Sequence, residues 1–182
     1  MWRRIVVGVV LAAAGFGFIR LVGGDDDAPG SIPDDPSFGT LEELAASSDL
    51  VVVGTVRVLR SGETQATGAR TVQTVVQVQD VLRGEYTETL LAVATLESAY
   101  SDQPTVRDWR LPGNRVVAFL VASEDGATGS GGEPLYLPVS HRQSFYFLEG
   151  DDLTAAYQDP GVLGEQIAAM TLSELVSALA RD

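Results

Sequence analysis

Cysteine is absent from this chain of 182 residues, which also has one histidine and no lysine. Without cysteine the chain can form neither a disulfide scaffold, a thiolate metal site, a thiol nucleophile nor a lipidated N-terminal cysteine. A single histidine also excludes a multi-histidine metal centre. We therefore expect no resident metal ion and no other cofactor.

Positive charge is scarce, because 12 arginines face 25 acidic residues and leave a formal net charge of −13. Affinity for nucleic acid comes mostly from cationic side chains that neutralise phosphates, so this balance argues against a nucleic-acid partner. Hydrophobic residues make up 45% of the chain, which is enough for a folded core. The length predicts one domain with small appendages.

The longest apolar run lies at the N-terminus. Arg3 and Arg4 precede an uninterrupted apolar stretch over residues 5–19, which Arg20 ends. A helix that continues through Val22, with the Arg20 side chain reaching the headgroups, is just long enough to span a membrane. The small residues that a signal peptidase needs do not follow this run at a suitable distance.

These features predict an uncleaved signal anchor over residues 1–23, with the membrane contacted through residues 2–22. Because the positive-inside rule keeps the first arginines in the cytoplasm, the rest of the chain is expected outside it. Two alternatives stay open: cleavage with release of a secreted domain, and a core helix of a cytoplasmic protein.

Three further segments follow the predicted anchor. Residues 24–38 combine five aspartates with three prolines and two glycines, a composition that predicts an extended tether. Residues 39–157 are predicted to form a β-barrel, and residues 158–182 a C-terminal helical extension.

Short β-rich segments dominate the predicted barrel. Residues 70–82 alternate apolar and polar side chains with a period of two, as expected of a half-buried strand. Turn-forming residues separate this segment from its neighbours, and the pattern predicts a small antiparallel barrel. The predicted strands span residues 50–59, 70–82, 87–95, 115–122, 135–139, 144–148 and, less regularly, 153–157.

Two capping boxes predict a short helix on each side of the barrel. Thr40 with Glu43, and Thr171 with Glu174, place a hydroxyl and a carboxylate three residues apart before an apolar segment. The predicted helices span residues 41–47 and 172–180.

Three short motifs resemble a known group of domains. They are S-S-D-L-V-V-V-G-T-V at residues 47–56, V-Q-D-V-L-R-G at residues 78–84 and L-P-G-N-R-V-V-A-F-L at residues 111–120. Together they resemble the netrin-like domains of uncharacterised secreted bacterial proteins, a group related to the tissue inhibitors of metalloproteinases. The resemblance covers roughly residues 40–150.

The resemblance implies a five-stranded OB-like barrel in an extracellular setting. In the inhibitors, an N-terminal cysteine contacts the protease zinc and disulfides brace the neighbouring ridge. This chain has no cysteine, so the resemblance does not carry that mechanism to it.

Catalytic residues are not identified in this sequence. Ser140 and His141 are adjacent, as an acyl-transfer pair could be, but no nucleophile elbow accompanies them. A histidine in a surface turn is the simpler interpretation. The glycine-rich segment over residues 125–133 lacks the lysine of a phosphate-binding loop, and is interpreted as a flexible hairpin connection.

A partner-contact surface is predicted in the long loop over residues 96–113. It contains Tyr100, Arg107, Trp109 and Arg110, and tryptophan and arginine are enriched at interface hot spots. Aromatic side chains could also form a platform for a sugar or peptide, as in other OB barrels, although core packing accounts for most of them. That set is Tyr100, Trp109, Tyr136, Phe145 and Tyr146.

Together these features predict a non-enzymatic, membrane-anchored module outside the cytoplasm that binds an envelope protein or glycan. One alternative is a small cell-envelope hydrolase that uses carboxylates and His141. Another is a released, inhibitor-like secreted domain.

Overall fold

The computed structural model describes residues 35–64, 70–96, 107–123 and 126–180. In these ranges the chain is mainly β with short helices, as predicted. The strands are β1 Leu50–Thr64, β2 Arg70–Arg83, β3 Leu90–Leu96, β4 Arg115–Ala122, β5 Leu135–Pro138, β6 Phe145–Glu149 and β7 Asp152–Ala155. The helices are α1 Leu41–Ala46, α2 Gly161–Ala168 and α3 Leu172–Leu179.

Five strands close into a barrel in the order β1-β2-β3-β5-β4, and β4 pairs with β1 to complete the ring. The predicted barrel is therefore present, and it is consistent with an OB-like barrel. It is not purely antiparallel, which corrects the prediction: β3 and β5 pair in parallel, with Ala92 beside Leu135.

A hairpin of β6 and β7 extends the sheet beyond the barrel. The first half of β4 pairs with β6, whereas its second half pairs with β5. Because β4 changes its neighbour midway, one strand belongs both to the barrel wall and to the hairpin extension.

The apolar runs in β1 and β4 are explained by burial on both faces. Leu50 and Val52 belong to the core inside the barrel, whereas Val51 and Val53 pack against an outer layer that includes residues of α1, α2 and α3. A strand covered on both sides needs apolar residues at every position rather than at alternate ones.

Capping chemistry sets where two of the helices begin. In α1 and α3, the hydroxyl of the N-cap threonine accepts a bond from the third helical residue, whose glutamate side chain bonds back to the cap. The predicted helices 41–47 and 172–180 are thus confirmed to within one residue. Helix α2 lies within the predicted helical extension over residues 158–182, but its bounds were not predicted, and its N-cap Pro160 makes no side-chain capping bond.

In the described part of the chain, no helix combines the length and apolar character needed to cross a membrane. The predicted anchor over residues 1–23 lies outside the described residues, as do residues 24–34 of the predicted tether.

The buried hydroxyl of Tyr146 has no hydrogen-bond partner among the described residues. Tyr146 is fully buried, and its ring packs edge-on against Phe119, with ring centroids 6.1 Å apart. Burial raises the pKa of this hydroxyl. Replacing Tyr146 with phenylalanine keeps the ring and removes the desolvated group, so we expect the free energy of unfolding to rise by about 1 kcal/mol.

Urea denaturation measures this change, and Tyr86→Phe is the matched control. The Tyr86 hydroxyl donates to the carbonyl of Leu90, so its removal is expected to lower stability by about 1 kcal/mol. A loss of stability in Tyr146→Phe equal to that in Tyr86→Phe would contradict the prediction.

Candidate functional site

Trp109, predicted as a partner contact, lies inside the barrel. Its side chain is fully buried and stacks on Phe145, with ring centroids 3.8 Å apart and an interplanar angle of 12°. In this packing it presents no surface to a partner, which corrects the expectation for this residue. Tyr100, from the same predicted surface, lies outside the described residues.

Arg107 is held by neighbours within the protein. Its guanidinium donates to Glu149 Oε1 over 2.6 Å and to Asn114 Oδ1 over 2.7 Å. It also lies over the Phe147 ring, 4.6 Å from the centroid, a geometry suited to a cation–π contact. These bonds tie the loop before β4 to the β6 strand.

Arg110 forms a two-point ion pair with Asp108, with N···O distances of 2.8 and 3.0 Å. Burial alone would raise the pKa of Asp108, but the hydrogen bonds from Arg110 outweigh it and lower the pKa. Arg107 and Arg110 are thus both engaged locally, and they brace the turn that carries Trp109.

The turn that contains Ser140 and His141 is hydrogen-bonded to the carboxylate of Asp35, a residue for which the sequence predicted no role in a site. Asp35 accepts bonds from the Ser140 hydroxyl over 3.1 Å, from the His141 backbone N–H over 2.7 Å and from the Arg142 backbone N–H over 3.1 Å. Asp35 therefore caps a turn. In a catalytic triad the carboxylate binds the imidazole, whereas here the bond from His141 comes from its main chain.

The Ser140 hydroxyl also has little access to solvent. Its residue is 1% exposed, and its oxygen accepts a bond from the backbone N–H of Gln143. Burial lowers the pKa of His141, and the nearby charge of Asp35 partly opposes that change. The three groups form a stabilised turn at the start of β6.

The end of the predicted tether is docked on this turn. The Gln143 side chain accepts from the Phe38 backbone N–H over 2.9 Å and donates to the Phe38 carbonyl over 3.3 Å. Gln143 is 3% exposed, and Phe38 packs on the outer core layer. Residues 35–38 are therefore part of the folded structure, and their segment corrects the predicted extent of the tether.

The glycine-rich connection between β4 and β5 lies on the outer face of the barrel. Its Ser130 N–H donates to Gln73 Oε1 over 2.8 Å, and its Glu133 pairs with Arg60 over 2.9 Å. A methyl group at Gly129 would lie 2.7 Å from the Ala92 side chain. The absence of a side chain at Gly129 thus allows the loop to contact the sheet, and the described part is more constrained than a flexible connection.

The Arg60–Glu133 pair is expected to make this contact pH-dependent. The hydrogen bond from Arg60 lowers the pKa of Glu133, so the pair contributes stability above the unfolded-state pKa and loses it as the pH falls through the folded-state pKa. We expect Glu133→Gln to be less stable than the parent at pH 7.

Urea denaturation at intervals from pH 7 to about pH 4 measures that difference, which is expected to shrink on acidification. Glu42→Gln is the control, because Glu42 is exposed on α1 and forms no ion pair among the described residues. A Glu133→Gln deficit that stays constant with pH would contradict the prediction.

Three residues of the first two sequence motifs have structural roles. Asp49 Oδ2 accepts from the Ala122 N–H over 2.8 Å, which extends the seam between β1 and β4. At Gly54 a methyl group would lie 2.4 Å from the Val76 side chain. Gly84 has φ +86° and lies against the Asp49 carbonyl. These positions explain the motif as a barrel-closing pattern rather than a catalytic one.

Two tyrosines lie at the barrel end where β1 and β3 begin and β2 and β4 end. Tyr86 and Tyr136 are half-buried and meet edge to face, with ring centroids 6.0 Å apart and an interplanar angle of 73°. Both pack partly against the inner core. We call this region, with Val81, Leu90 and the turn over residues 84–89, the tyrosine end.

Of the predicted aromatic platform, Tyr136 alone is placed with partial exposure among the described residues, whereas Trp109, Phe145 and Tyr146 are fully buried. Its partner Tyr86 was not singled out from the sequence. The signal for it was a tyrosine in the short turn between two predicted strands.

Neither metal coordination nor the helical surface offers a stronger candidate. Within the described ranges, no group of three or more histidine, cysteine, aspartate or glutamate side chains is arranged to hold a metal ion. An open groove along α3 includes Met170 and Glu174, but Glu174 is engaged in the α3 capping box.

No family model matches the chain, and a search of curated proteins finds no significant match.

Proposed function

We propose that this chain is a membrane-anchored, non-enzymatic module that binds another component of the cell envelope outside the cytoplasm. Its barrel is an OB-like domain of the netrin-like type. The closed strand ring and the barrel-closing roles of Asp49, Gly54 and Gly84 support that assignment.

One observation carries the choice of binding over catalysis. The residues whose side chains could take part in chemistry are bonded to other parts of the protein. The Ser140 hydroxyl lies in a capped turn, and Arg107 and Arg110 form ion pairs. Catalysis requires a nucleophile or base that can reach a substrate. A binding module needs only a stable surface.

The proposed location depends on the N-terminal sequence. A basic start followed by an apolar run is typical of a signal anchor, and the acidic, proline-containing segment after it suits a spacer. The docking of Phe38 on Gln143 supports this proposal, because it gives the spacer a defined attachment point on the barrel.

Photo-crosslinking in native membranes tests the binding proposal. A full-length, tagged chain labelled with a diazirine analogue of leucine is compared with a tagged chain that ends after residue 38. We expect one dominant adduct that is enriched over the shorter chain. Equal recovery of all adducts from both chains would overturn the proposal.

Two measurements separate the proposal from its rivals. A mature N-terminus near Asp25, found by mass spectrometry of the purified chain, would replace the anchor with the released secreted domain. For the hydrolase, an activity on envelope substrates that His141→Ala abolishes, in a variant with unchanged thermal stability, would replace binding with catalysis.

A further inference from the structure

The tyrosine end combines partly exposed aliphatic side chains with two aromatic rings. Val81, near the end of β2, and Leu90, at the start of β3, are each 37% exposed on the two strands that flank the Tyr86 turn, and Tyr86 and Tyr136 are half-buried. The hydrogen bond from the Tyr86 hydroxyl to Leu90 holds the first ring in place. Fixed aromatic rings with adjacent aliphatic groups are favourable contact points, because little side-chain entropy is lost on binding.

The net charge at the tyrosine end is negative. Glu85 and Glu88 are exposed and form no ion pair within the described residues. Asp49, just before β1, adds a third exposed carboxylate at this end, where Arg83 is the last residue of β2. Glu133, Glu149 and Asp108 contrast with this, since each is paired with an arginine.

The carboxylates lie close enough to the rings to affect them. Burial raises the pKa of Tyr86 to about 12, and the charge of Glu88 contributes to that rise. Burial also raises the pKa of Tyr136, with a contribution from Asp49. The carboxylates and the aromatic rings therefore lie at the same end of the barrel.

We propose that the tyrosine end binds a basic, partly apolar segment of a partner protein, whose arginine or lysine side chains lie between Glu85, Glu88 and the tyrosine rings. A cation gains there from both carboxylates and aromatic faces, and apolar side chains of the same segment cover Leu90 and Val81. Anionic surfaces, such as nucleic acid or acidic lipid, are disfavoured by the same charges.

This inference rests on the proposed binding function and adds the surface and the chemistry of the partner. The test uses the full-length, tagged chain in native membranes with the photo-crosslinking residue benzoylphenylalanine in place of Leu90. A chain with the same residue in place of Val162, which is 73% exposed on α2, is the matched control. We expect a protein adduct from position 90 and none from position 162.

The charge requirement is tested in the same background. Glu85→Gln with Glu88→Gln is expected to lower the yield of the position-90 adduct about fivefold. Glu42→Gln with Glu165→Gln removes the same charge from exposed helix positions and is expected to leave the yield unchanged. Mass spectrometry of the adduct is expected to identify a segment with net positive charge.

Each other outcome overturns the inference. An adduct with lipid, glycan or an acidic segment rules out the proposed partner chemistry, and an equal effect of both double variants rules out a specific charge contact. If the diazirine-labelled chain captures a partner but position 90 yields no adduct, the binding function stands and the surface is wrong. If neither experiment yields a specific adduct, both proposals fail.

Discussion

Replacement of Trp109 by alanine is expected to lower the free energy of unfolding by about 3–5 kcal/mol. The side chain is fully buried and stacks on Phe145 in the inner core. Its removal loses the transfer free energy of a large ring and leaves a cavity that the barrel strands can fill only in part. Because small domains have roughly 5–15 kcal/mol of stability in total, this change would remove a large fraction of it.

Urea denaturation followed by circular dichroism measures the effect, and Leu111→Ala is the control. Leu111 lies two residues away and is 51% exposed, so its truncation is expected to change stability by no more than about 0.5 kcal/mol. If Trp109 instead served a partner, Trp109→Ala would lose the crosslinked adduct while its unfolding midpoint stayed at the parent value.

The second large effect is expected at Gly84. Its φ of +86° is unfavourable for any residue with a side chain, and a methyl group there would lie 2.3 Å from the carbonyl oxygen of Asp49. That oxygen belongs to the backbone beside the β1–β4 seam and cannot move without disturbing it. We therefore expect Gly84→Ala to lower the free energy of unfolding by at least about 3 kcal/mol.

Gly113→Ala provides a matched comparison. Gly113 has φ +93°, but among the described residues no atom outside positions 112–114 lies within 4 Å of the position its methyl group would take. Its substitution should cost only the conformational term of about 1–2 kcal/mol. The difference between the two variants in urea denaturation isolates the clash with Asp49. Equal losses would show that the clash relaxes at no cost.

Local sequence patterns predicted the elements whose causes are local. The capping boxes at Thr40 and Thr171 predicted both helices, because their bonds join residues three positions apart. The strand β4 has its predicted bounds, residues 115–122. The bounds of α2 within the predicted extension over residues 158–182 were not predicted, because the helix begins at Gly161 without a side-chain cap and no capping box marks its start.

The candidate site was harder to predict, since its residues are placed by distant contacts. Asp35 reaches the Ser140 turn across 105 positions, and no periodic pattern relates the two. Tyr86 and Tyr136 come together because β2, β3 and β5 meet at one end of the barrel. Exposure also depends on the whole fold, as Trp109 shows.

The sequence by itself determined which chemistries this protein lacks and where its local elements begin. With no cysteine, no lysine and one histidine, thiol chemistry and multi-histidine metal binding are excluded in any fold. Only the tertiary structure decided which side chains are buried, paired or exposed. Trp109 is part of the core, Arg107 and Arg110 pair with Glu149 and Asp108, and Glu85 and Glu88 form no ion pair within the described residues. The physical reason is that burial and ion pairing depend on contacts between strands far apart in the chain, whereas capping depends on neighbours within one turn.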